Sequence, residues 1–212
     1  MKKLIGSNIV RKILIPSFLM LASTALWAAD VSTKKVNVEV ENRNLPSDSV
    51  YQLPIILEDQ QGSKFKFSAH SGKVTLISMF YNSCEFVCPM LIDTIQLLEE
   101  KLSTDEQKKI STLLVTFDPV RDDLPTLESI AKNKKLDAKQ WKIARTDIAS
   151  VRQLAATLNI QYRQMDSGEF NHTSVIILLD EQGRILARSG ELGTVDGEFL
   201  EKIKLAIKRT SF

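Results

Sequence analysis

VTLISMFYNSCEFVCPMLIDTIQLLEE, residues 74–100, runs from an apolar strand through a short loop into a helix, and it holds both cysteines of the chain. Val74 to Phe80 has strand length and almost no charge-bearing character, which suits a central strand buried on both faces. Past Pro89, apolar Leu91, Ile95 and Leu98 recur at helical spacing, with Leu102 one turn further on. A strand ending at Phe80 therefore delivers the chain to a loop, and the loop enters a helix. Cys84 and Cys88 fall just before that helix or at its start, with three residues between them.

Working outward, VNVEV and KFKF alternate like short strands, and STLLVTF, ending at Phe117, is a second buried strand. LPTLESIAKNKK opens a helix with Pro125, QWKIARTD is a short strand and IASVRQLAATLN is a helix. SVIILLD, a turn at EQGR and ILARSG make a hairpin, and VDGEFLEKIKLAIKR closes the chain as an amphipathic helix. Ser103 and Glu106 have capping-box spacing for one further helical turn. The order β-β-β-α-β-α-β-α-β-β-α implies an α/β fold, its mixed central sheet flanked by helices and preceded by an N-terminal strand extension. At 212 residues, 43% hydrophobic and 25% charged, the chain suits one full-size domain.

The first 29 residues read differently. Lys2, Lys3, Arg11 and Lys12 precede the apolar run ILIPSFLMLASTAL, and Ala28 and Ala29 follow it, which is the pattern of a signal peptide or N-terminal membrane tether. Residues 30–49 read as a linker and 50–212 as the folded domain. The whole chain has a formal charge of +2; without residues 1–29, 24 basic residues face 26 acidic ones. That balance argues against nucleic acid as a partner. Export, to the periplasm or to a membrane tether facing it, puts both thiols where disulfides persist.

Two side chains four apart on a helix share a face, with Cβ atoms about 5–6 Å apart. A helix N-terminus also favours thiolate. Such a pair suits a soft metal or a redox couple better than a stabilising disulfide, because a loop this small removes little chain entropy. The other available imidazoles are His70, in a turn where solvation is expected, and His172, directly before an apolar strand. Asp118 and Arg121 have the spacing of an ion pair beside a turn. Met79 and Met90 flank the cysteines and read as core filler rather than soft ligands. Phe80 and Tyr81 are placed either to wall a site or to fill the core. The residues alone leave metal and redox chemistry open.

The strand–CxxxCP–helix unit, then TFDPVRDDLPTLESIAK, then NHTSVIILLDEQGRILAR, resembles the Sco/SenC family from about Val50 to the C-terminus. Glu85 stands where family members often carry Pro, and Thr173 where they commonly carry Ser. The resemblance implies a thioredoxin-type fold and an exported or tethered copper protein associated with cytochrome oxidase assembly. It implies Cys84, Cys88 and His172 as ligands of Cu(I) and Cu(II), with Asp118 supporting the site without binding metal. Implied partners are copper donor and acceptor proteins, among them a cytochrome oxidase subunit. Two thiolates and an imidazole suit copper, whereas structural zinc wants a fourth ligand. The alternative is a thiol–disulfide oxidoreductase in which Cys84 attacks and Cys88 resolves, although such sites usually carry C-x-x-C.

Overall fold

The computed structural model describes residues 45–84 and 86–210; the basic and apolar leader and the VNVEV patch lie outside these. β3 (Val74–Phe80) and β4 (Ile110–Thr116) are buried at every position, as two-sided burial of their apolar runs requires. They pair in parallel, in register from Val74 opposite Ile110 to Phe80 opposite Thr116. Between them the chain makes α1 (Val87–Glu100) and the single turn α2 (Thr104–Gln107), which closes with the Ser103–Glu106 capping box.

α3 (Leu124–Asn133) leads to β5 (Trp141–Arg145), parallel to β4, and α4 (Ile148–Thr157) follows. β8 (Ile176–Leu179) then lies antiparallel to β3 on its other side, and β9 (Ile185–Ser189) returns beside β8. β1 (Ile56–Asp59) pairs antiparallel to the outer edge of β5, and β2 (Lys64–Lys66) forms a hairpin with β1. The sheet order is β2-β1-β5-β4-β3-β8-β9. This is the mixed α/β, thioredoxin-like architecture with an N-terminal strand extension that the sequence implies.

Helices complete the core. Leu91, Ile95 and Leu98 of α1 and Phe199, Ile203 and Ile207 of α5 (Gly197–Arg209) are buried, each at a helical repeat of three or four. Full burial of one such side chain contributes roughly 1.5–3 kcal/mol. The β8–β9 turn has one position only glycine fits. Gly183 sits at φ 80°, and a Cβ there would meet Cδ2 of buried Tyr51 at 2.5 Å.

One element was not expected. β6 (Tyr162–Gln164) and β7 (Phe170–His172) form a separate two-stranded sheet with Tyr162 opposite His172. Among the described residues no helix is long and apolar enough to cross a membrane.

Candidate metal centre

The centre forms at the C-terminal edge of β3. The β3–β8 register, Ile77 opposite Ile177, runs antiparallel, so the residues preceding β8 lie beside the end of β3. The Ser78 hydroxyl donates to the Val175 carbonyl at 2.7 Å and fixes that alignment. Continuing the register places His172 opposite the loop that carries Cys84. A thiol or imidazole atom from each of Cys84, Cys88 and His172 lies within 4.8 Å of the others.

The cysteines do not meet through a shared helical face. α1 begins at Val87, so Cys88 is in its first turn while Cys84 lies in the loop before it. What joins them is a cap. The N-cap residue, Phe86, supplies no side-chain acceptor; instead the Cys84 sulfur accepts the Cys88 backbone N–H at 3.3 Å. α3, α4 and α5 are each capped by an aspartate, Asp123, Asp147 and Asp196. In α1 a sulfur takes that place, where the exposed N–H groups favour negative charge.

Both cysteines are free thiols; Cys84 is half-buried and Cys88 is buried. Burial first, and then the neighbouring Cys84 sulfur and Asp122, push the Cys88 thiol well above its ordinary range. At Cys88 this desolvation opposes the thiolate that the helix end favours.

His172 is prepared for ligation from the other side. Its Nδ1 lies 3.3 Å from the Thr173 carbonyl and 3.4 Å from the Ser174 hydroxyl; the carbonyl can only accept, so the tautomer that makes this bond carries its hydrogen on Nδ1 and leaves the Nε2 lone pair free. Burial lowers its pKa, which keeps the ring neutral. Phe117 and Tyr81 pack against the imidazole, with ring centroids at 4.9 and 5.7 Å. Two sulfurs and one neutral imidazole make a soft donor set with fewer ligands than a closed structural zinc site.

Asp118 is not among the donors. It is buried and held by the Arg121 side chain in an ion pair. The carboxylate that touches the cysteine loop is Asp122, which accepts the Asn82 N–H at 3.1 Å and the Thr116 hydroxyl. Asp122 stands one helical turn on from Asp118, its N–H donating to the Asp118 carbonyl at 3.0 Å. The run DPVRDD, residues 118–123, holds both acids, and only the fold chooses between them. Tyr81 is also more than a wall: its hydroxyl donates to Glu169 at 2.7 Å. No sequence signal marks that pair.

Met79 is buried core as expected, but Met90 is exposed and rests over Gly193. His70 is half-buried rather than solvated, packed on Phe65 at 5.5 Å, and burial lowers its pKa to about 4. It takes no part in the donor group.

The family model for SCO1/SenC matches residues 46–208. The chain belongs to the SCO1/SenC family. This SCO1/SenC chain is 28% identical over 131 residues to a SCO2-like protein of Rickettsia typhi, across 60% of its own length and 62% of that relative. Yeast Sco1, solved with copper bound, is 21% identical, with a TM-score of 0.62 over 75% of this chain and 88% of the yeast one. BsSco, described as a Sco-family cytochrome c oxidase assembly protein with a disulfide switch, is 19% identical. Its TM-score is 0.62 over 73% of this chain and 92% of BsSco. At these identities the two solved structures establish the shared fold.

Proposed function

We propose that this SCO1/SenC chain is an exported copper carrier that holds one copper ion through Cys84, Cys88 and His172 and serves the assembly of a cytochrome oxidase copper centre. The observation that carries this reading is the convergence of two thiols and one neutral imidazole within 4.8 Å. Soft thiolates satisfy Cu(I), and the imidazole adds the nitrogen that Cu(II) prefers. Three ligands leave room for a ligand from a donor or acceptor protein, which is what a carrier needs. The copper-bound state of yeast Sco1 and the assembly role named for BsSco support the reading from outside the chain. The basic and apolar N-terminal pattern supports export.

A second reading, thiol–disulfide exchange, has one observation in its favour: the two sulfurs are free and adjacent. In that reading His172 is a bystander. The readings separate in the His172→Ala variant. A carrier keeps appreciable Cu(I) binding, loses most Cu(II) binding and fails to restore oxidase activity in cells that lack the protein. An oxidoreductase keeps disulfide exchange and oxidase activity nearly intact. Unchanged affinity for both ions together with normal oxidase activity would falsify the carrier reading.

A further inference from the structure

The β6–β7 hairpin that carries His172 pairs with no strand of the main sheet. Its turn is closed by its own backbone, with Gly168 N–H donating to the Met165 carbonyl at 2.9 Å. The β3–β8 register places His172 beside the cysteine loop, and the imidazole's finer position depends on whatever else ties the hairpin to the body. Aromatic packing does part of this: Phe117 stacks on Tyr162 at 5.3 Å and meets Phe170 at 5.1 Å. Such contacts accept a wider range of separations and tilts than a hydrogen bond does.

Two polar straps remove that freedom, and both reach the turn. Arg121, held at its Nε by buried Asp118, donates from Nη2 to the Gly168 carbonyl at 2.8 Å, with its guanidinium 5.6 Å above the Phe170 ring. The Tyr81 hydroxyl donates to Glu169 Oε2 at 2.7 Å. The second strap is special because of where Tyr81 sits. Its carbonyl accepts the Cys84 N–H at 3.4 Å, and its ring packs on both Phe170 and His172. One residue thus grips the cysteine loop with its backbone and the histidine hairpin with its side chain.

We infer that Tyr81 is a positioning residue of the metal centre, with Glu169 as its partner, and that their hydrogen bond sets the distance between the His172 imidazole and the cysteine pair. This rests on the copper reading proposed above. The bond matters most when the imidazole is a ligand, so its loss weakens Cu(II) far more than Cu(I). Arg121 remains as the other strap, so the hairpin loosens without detaching.

The test uses the full-length chain and the variants Tyr81→Phe, Glu169→Ala, their double mutant and Glu169→Gln. Competition against chelators measures Cu(II) and Cu(I), the sulfur-to-copper charge-transfer band gives a spectroscopic signature, and amide hydrogen exchange over residues 162–172 is followed without metal. Tyr81→Phe and Glu169→Ala should each weaken Cu(II) about tenfold, as loss of one hydrogen bond to a carboxylate does. Each should shift the charge-transfer band and speed hairpin exchange. The double mutant should lose no more than Tyr81→Phe alone, because the Glu169 variant breaks a bond that the Tyr81 variant already lacks. Cu(I) should change by less than about threefold, and Glu169→Gln, which keeps a neutral acceptor oxygen, should recover part of the lost Cu(II) affinity. Additive losses, or unchanged Cu(II) affinity and unchanged hairpin exchange, overturn the inference. Should the wild-type chain bind no copper, the carrier reading fails on its own, and the metal-free exchange still decides whether Tyr81 and Glu169 hold the hairpin.

Discussion

Cys84 and Cys88 have the same side chain and different environments. The half-buried Cys84 sulfur caps a helix; the buried Cys88 thiol is pushed up by desolvation. A protonated thiol is a poor nucleophile. In Cys84→Ser, burial, the largest cause of the shift, remains. The rate of Cys88 alkylation by iodoacetamide in that variant should keep climbing as pH rises past 9, the ordinary value for the thiol. A rate that levels off near that pH would contradict the assigned burial. At this scale the sequence was legible where chemistry is scarce. With only two cysteines and two histidines in the chain, the donor candidates were few. Choices among abundant residues were not legible: Asp118 or Asp122, and Tyr81 as wall or tie, depend on contacts between distant segments.

The elements were legible wherever periodicity reports burial on a large, apolar scale. β3, β4 and β8 are mainly apolar, uncharged runs buried at every position, and α1 and α5 carry helical stripes. The β6–β7 hairpin was missed because half-exposed QYRQMDSGEFNH has neither signal; aromatic contacts with Tyr81 and Phe117 hold it instead. Another tie between elements yields a pH prediction. Glu99 of α1 is buried and accepts the Thr112 hydroxyl of β4 at 2.8 Å and the Trp141 indole N–H of β5 at 3.0 Å. Burial raises its pKa from 4.5 to about 7. The unfolded chain therefore ionises Glu99 at lower pH than the folded one. Stability should fall as pH rises from about 4.5 to about 7, then level off, with a total change on the order of 3 kcal/mol. Glu99→Gln keeps an acceptor oxygen for the indole, and its amide N–H can donate to the threonine hydroxyl, which then accepts. Urea unfolding of the metal-free chain at pH 5 and 7.5 should show that slope in the wild type and lose this contribution in the variant. Parallel pH profiles would contradict the assignment.

Across the whole molecule, the sheet brings distant segments to one edge. β3 delivers the cysteine loop, β4 delivers Phe117 and the acids that follow it, and the antiparallel return of β8 brings His172 alongside. The three candidate donors come from positions 84, 88 and 172: a local helix cap joins the two sulfurs, and the register of the sheet brings the imidazole to them. The fold could be read from patterning, whereas the site needed the fold. The most direct test is X-ray absorption at the copper edge of the loaded full-length chain, with copper content measured in parallel. The expected result is one copper per chain bound by two sulfurs and one imidazole nitrogen, with a sulfur-to-copper charge-transfer band in the Cu(II) form that Cys84→Ser and Cys88→Ser each abolish. Copper held only by oxygen and nitrogen donors, or full copper retention by either serine variant, would contradict it.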